Sequence, residues 1–174
     1  MHRASALAHL ETGGLLIDPS QVLRQFPYGL YLVGASRNGH PLIILANWVT
    51  QVSFSPPLVA VAVEVQSKMH EFIADSGYFS VNVLPAGNPE LAKDFLKSRD
   101  PKGGSINGHA FQLGRHASPL IEEANSWVEC QVVSIHETGD HTLFVGQVIQ
   151  SSLNVQGPGM TLRESGLNYY KKND

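Results

Sequence analysis

Cysteine is nearly absent: Cys130 is the only one in 174 residues. No disulfide can form within the chain, so a reducing, cytoplasmic setting is the expectation. Basic runs are equally scarce. Lys and Arg never exceed two in a row, and the formal net charge is −3. This argues against the clustered basic surface by which nucleic acid is usually gripped. Long apolar runs are missing too. The longest, Leu58 to Val63, falls far short of the roughly 20 residues a membrane helix needs. The opening "MHRASALAHLETGG" lacks the apolar core of a signal peptide. The expected protein is soluble and cytoplasmic, with neither nucleic acid nor membrane as partner.

Several catalytic motifs are also lacking. There is no GxGxxG for a dinucleotide fold and no GxSxG for a hydrolase nucleophile. "GGSING" at 103–108 lacks the Lys-Ser/Thr ending of a phosphate-binding loop and reads as a plain loop. His109, His116 and His136 show no metal-ligand spacing, so no metal site is expected. Glu122-Glu123 reads as a solvated face, and Cys130, within a strand, as an inert core residue.

What is present is a globular composition, 43% apolar and 16% charged, enough for one domain over 1–174. Residues 1–17 read as an N-terminal arm and 154–174 as a tail that packs on something. Asp18 followed by Pro19 starts a short helix. Asn38-Gly39, between two apolar runs, predicts a hairpin of Leu30–Ser36 and His40–Ala46. Leu58–Val65 is apolar on both faces and reads as a central strand. Ser67 caps a helix that Gly77 ends, "YFSVNVLP" alternates as a strand, and Asn88-Pro89 starts another helix. Residues 98–114 read as a loop with one short strand, and 126–153 as a long hairpin turning at Gly139-Asp140. Strands arranged in hairpins with short helices favour a mainly β barrel over a doubly wound sheet.

Two segments carry candidate chemistry. In "SKMHEF", Ser67 caps a helix whose first turn bears Lys68 and His70, cations at the end where the helix dipole favours anions. A phosphate there would resolve that mismatch, although an ordinary capped surface helix has the same pattern. In "NWVTQVSFSPP", Asn47, Thr50, Ser53 and Ser55 precede two prolines. Irregular backbone there would offer polar groups to a planar ring, or the hydroxyls serve only to satisfy a tight turn. His141, at a hairpin tip, has no chemistry assigned by spacing alone.

The segments "ANWVTQVSFSPPLVAVAV", "SKMHEFIADSGYFSVNVL", "PLIEEANSWVECQVV" and "GDHTLFVGQVI", in that order, resemble the flavin reductase-like proteins. These are FMN-binding split-barrel flavoproteins that include reductase components of two-component monooxygenases, flavoredoxins and ferric reductases. The resemblance runs from about Gly29 to Leu153. The tail "MTLRESGLNYY" is similar to the end of the flavin reductase module fused to some flavodiiron proteins. The resemblance implies a mainly β fold with short helices, an FMN-binding split β-barrel, and a homodimer. It implies FMN or FAD as cofactor, NADH or NADPH as donor, and a monooxygenase or electron-transfer protein as partner. By the same likeness, Asn47, Trp48, Val49, Thr50 and Ser53 run along the flavin ring and ribityl phosphate. Ser67, Lys68, Met69 and His70 hold the phosphate, and His141 sits near flavin and nicotinamide. Trp48 stands where the family often has a smaller or different residue. The activity implied is NAD(P)H-dependent flavin reduction, with hydride passing from nicotinamide to flavin N5. The alternative is an electron-transfer protein of the flavoredoxin type, reduced by a protein partner.

Overall fold

The structure, a computed structural model, describes residues 17–167. The expected arm over 1–17 and the last seven residues of the expected tail therefore lie almost wholly outside the described residues. In chain order the elements are α1 (Pro19–Leu23), β1 (Tyr31–Arg37), β2 (His40–Ala46), β3 (Val49–Phe54), β4 (Pro57–Glu64), α2 (Lys68–Ser76) and β5 (Tyr78–Val83). There follow α3 (Pro89–Asp94), β6 (Ser105–Ile106), β7 (His109–Leu113), β8 (Pro119–Ile121), β9 (Ser126–Glu137), β10 (His141–Leu153) and α4 (Leu162–Ser165).

Seven strands form one antiparallel sheet in the order β2-β1-β5-β9-β10-β4-β3. Its two edges, β2 and β3, are consecutive in sequence and separated only by Asn47 and Trp48. Two residues cannot span an open seven-stranded sheet at roughly 4.8 Å per strand. The sheet therefore rolls into a barrel, split along one seam that Asn47 and Trp48 cross at one end. Trp48 also holds that seam to the sheet, its carbonyl accepting from Ala62 N at 3.0 Å.

Side-chain alternation divides the interior. Along β1, Val33 and Ala35 point into one core with Val61, Val63, Phe79, Val81, Cys130 and Phe144, and α2 plugs this core with Met69 and Ile73. Leu30 and Leu32 point the other way, into a second core with Ile43, Leu91, Phe95, Ile106, Met160 and Leu162. Burial on both faces explains why Leu32–Ala35 of β1 carries no polar side chain, whereas Ser36 and Arg37 at its end are less buried. The second core lies beneath α3, α4 and the small β6-β7-β8 sheet. Asn82 ties β8 to the barrel: its amide donates to Leu32 O at 3.1 Å, and its Oδ1 accepts from Ile121 N at 2.8 Å.

Most predicted elements form within a residue or two of their expected ends. The β1–β2 turn has φ of 51° at Asn38 and 78° at Gly39, the positive pair that Asn-Gly supplies. Ser67 caps α2 and Gly77 ends it at φ 73°. Four differences stand out. Residues 49–54 are not irregular: they form edge strand β3, and the Ser55-Pro56 bond in its turn is cis. β4 lies second from that edge; Val59, Val61 and Val63 face the core, whereas small Ala60 and Ala62 occupy its other face. Residues 98–114, expected as a loop with one short strand, hold two, β6 and β7, which pair through Ile106 and His109. The tail contributes α4, closed by a capping box between Thr161 and Glu164.

Candidate active site

The barrel register gathers one rim. β10 starts at His141, which pairs with Glu64 at the end of β4, and α2 begins three residues later at its cap, Ser67. Val65 N donates to Asp140 O at 3.0 Å and locks this corner. The seam residues arrive at the same level because Val49 pairs with Val61. The result is a cleft lined by Asn47, Trp48, Ser67 and His141, with Ala62 and Glu64 of β4 and with Phe95, Leu96 and Ser98 beyond α3.

At the start of α2, Ser67 Oγ accepts from His70 N at 3.2 Å and donates to Glu64 O at 2.7 Å. The backbone N–H groups of Lys68 and Met69, in the helix's first turn, have no intrahelical acceptor. They sit at the positive end of the helix dipole, beside the exposed Lys68 side chain. This is an anion-binding arrangement. Asn47 is only 7% exposed and its side chain lines the cleft. Its amide can donate and accept at a polar ligand edge placed there. Both features fit a ligand with a polar planar ring and a phosphate.

The aromatic wall is a pair. The rings of Trp48 and His141 lie 4.5 Å apart at 51°, and Trp48 is 42% exposed at the mouth. Asp140 Oδ1 lies 2.7 Å from His141 Nδ1, which fixes the ring and directs Nε2 away from that carboxylate.

The other expected site residues are placed differently. Met69 is fully buried in the barrel core, so only its backbone faces the helix start. The His70 ring turns inward, with Nε2 2.9 Å from Thr142 Oγ1 and an edge contact to Phe144 at 5.2 Å. Val49 packs against the barrel core. Thr50 and Ser53 lie further along β3, Thr50 in a separate groove with Gln51, Trp127 and Leu153. The cleft thus gathers Asn47, Trp48, Ser67 and His141 and leaves Thr50 and Ser53 outside.

Ala62, Glu64, Phe95, Leu96 and Ser98 of the cleft were not anticipated, nor was Thr142 behind it. Phe95, Leu96 and Ser98 reach the cleft because the chain leaves α3 beside the seam; in sequence Phe95 is only the core partner of Leu91, four residues earlier. Thr142, 2% exposed, has no signal beyond following His141. Among the described residues no cluster of His, Cys, Asp and Glu is placed to hold a metal ion. None of their helices is long and apolar enough to cross a membrane.

Comparison with known proteins agrees with this geometry. Residues 23–173 match the flavin reductase like domain. The NADH-dependent FAD reductase of Streptomyces globisporus is 34% identical over 145 residues, 79% of each chain. A solved NADH:FAD oxidoreductase from Streptomyces globisporus C-1027, in complex with NAD and FAD fragments, superposes with a TM-score of 0.72. It is 31% identical, over 92% of this chain and 100% of that one. The flavin reductase component of a bacterial two-component tryptophan halogenase superposes with a TM-score of 0.71 at 29% identity, over 85% of this chain and 95% of its own. The chain therefore belongs to the flavin reductase like family.

Proposed function

We propose that this chain is an NAD(P)H-dependent flavin reductase whose site is the cleft at the barrel seam. The observation that carries the reading is the meeting, on one rim, of the open helix start at Ser67–Lys68, the cleft-lining amide of Asn47 and the Trp48–His141 pair. The S. globisporus relative is named for NADH-dependent reduction of FAD, which supports a nicotinamide as donor. Bound flavin supplies the electrophilic N5 that accepts hydride from the nicotinamide, so the hard chemistry belongs to the cofactor.

The protein's own residues have four tasks. Lys68 and the first-turn N–H groups of α2 hold the phosphate of FMN, or the corresponding phosphate of FAD. Asn47 bonds a polar edge of the ring, with the backbone of Trp48 and Val49 beside it. His141, oriented by Asp140 and Trp48, faces the nicotinamide side and helps set the near-attack distance of about 3–3.5 Å. Thr142 holds the His70 ring beneath the helix start, so Met69 and His70 contribute backbone rather than side chain. No protein nucleophile or acid–base dyad is required, in keeping with the catalytic motifs missing from the sequence.

We further propose a homodimer built on β3. This edge strand and its surroundings expose Val52, Phe54 and Leu153 at 50%, 90% and 68%. An apolar edge of that kind is normally covered. Covering it would bury Thr50 and Ser53 at the subunit boundary. The lone buried Cys130 suits a reducing cytoplasm, and the halogenase reductase component supports a flavin-consuming monooxygenase as one class of partner.

The test is steady-state. Consumption of NADH or NADPH by the purified protein should require added FMN or FAD and saturate in both. Equal slow consumption with and without flavin would refute the assignment.

A further inference from the structure

One group of titratable side chains outside the cleft has no part in the proposed chemistry. His109, at the start of β7, stands between two carboxylates. Its Nε2 lies 3.0 Å from Oδ2 of Asp94, the last residue of α3, and its Nδ1 bonds Oε2 of Glu123 in the turn after β8. A neutral imidazole has one N–H and one lone pair. It can donate to only one carboxylate and must set its lone pair against the other. Only the imidazolium donates to both.

Asp94 and Glu123 are the charged groups bonded to this ring; from the rest of its surroundings the Phe95 ring packs on it at 5.4 Å. The His109 side chain is 16% exposed. Burial pulls its pKa down, but the hydrogen bonds and charges of Glu123 and Asp94 outweigh this and leave it above the usual histidine value.

The segment held by this contact is the wall of the cleft. Asp94 is followed directly by Phe95 and Leu96, which with Ser98 line the cleft. Beyond α3 the segment's polar anchors come from two residues of the β6–β7 hairpin. Asn107 donates to Asp94 O at 2.7 Å and Lys97 O at 2.9 Å, and accepts from Arg99 N at 3.0 Å. His109 supplies the other anchor.

We propose that His109 is a positioning residue for flavin binding, its imidazolium clamping residues 94–98 as the wall of the cleft. This rests on the reading of the cleft as the flavin site. Loss of one proton from His109 leaves its lone pair facing a carboxylate, releases Asp94 or Glu123, and loosens the wall. The sign follows from a folded-state pKa above the unfolded one: the clamp is complete at low pH and is lost as pH rises through the folded value.

The test has two arms, both on the full chain. In flavin-free protein, NMR should show the Leu96 amide titrating together with the His109 ring, at a midpoint above that of an ordinary histidine. In His109→Gln the Leu96 transition should vanish, and in Glu123→Gln it should move to lower pH. In the second arm, FMN affinity is compared at about pH 7 and about pH 9, both above the phosphate's second pKa of about 6. The wild type should bind roughly three- to fivefold more weakly at the higher pH, the scale of partly exposed ion pairs, while His109→Gln should change little. A Leu96 transition that persists in His109→Gln, or equal pH sensitivity of the two proteins toward FMN, would overturn the clamp. If Leu96 follows His109 but FMN binds at neither pH, the clamp stands and the flavin reading of the cleft fails.

Discussion

At the scale of residues, Ser67 and Lys68 divide the work at the start of α2. Ser67 holds the helix end together through Glu64 and His70, whereas the Lys68 side chain is exposed and takes no part in those bonds. Lys68→Ala should therefore weaken FMN binding by about 1–3 kcal/mol and leave the melting temperature nearly unchanged. Titration of FMN fluorescence beside a thermal melt checks both. Ser67→Ala should instead cost about 1 kcal/mol of folding stability through the lost cap, measured by urea denaturation. If His141 faces the donor as proposed, His141→Ala should lower kcat/KM for the nicotinamide roughly 10- to 100-fold with FMN affinity little altered. Cys130 belongs to the fold alone. Burial and then the charge of Glu129 push its thiol up to about 12, so iodoacetamide at about pH 8 should label it only after unfolding.

Elements were legible where one local signal dictated one geometry. Asn38-Gly39 demanded a hairpin, Ser67 and Gly77 bracketed α2, and the alternation of β5 and of the long β9–β10 pair needed no tertiary information. The segment 49–54 was not legible, because "VTQVSF" mixes exposed and half-buried positions as an edge strand does; its hydroxyls mimic a polar loop. Residues 105–113 were hidden for a related reason. β6 has only two residues, and pairing across Asn107-Gly108, not propensity, makes them strands. The site was legible in its helix start and in His141 through the family likeness. Phe95, Leu96 and Ser98 were not, since only the packing of the chain after α3 turns them toward the cleft. Element packing also sets a mutational limit. A Cβ on Gly146 would lie 2.5 Å from a Phe79 ring carbon and 2.7 Å from Cys130 Cβ, at a register shift between β10 and β9. Gly146→Ala should destabilise the protein by about 1–3 kcal/mol, seen as a lower urea midpoint with an unchanged slope.

For the whole molecule, the fold places its candidate cleft where the sheet fails to close. Neighbours in sequence at opposite edges of the sheet force the roll, and the two linking residues, Asn47 and Trp48, become part of the site. The apolar β3 edge beside it explains why a second copy is expected there. Light scattering should give twice the chain mass, and Phe54→Lys should shift the protein toward monomer. The central claim is direct reduction of bound flavin by a nicotinamide, and one anaerobic experiment addresses it most directly. The protein is loaded with FMN, mixed with NADH or with NADPH, and followed by visible flavin absorbance. Rapid bleaching with at least one donor is the predicted result, the faster donor giving the preference. A bound flavin that stays yellow with both donors would contradict the account and favour a carrier fed by another protein.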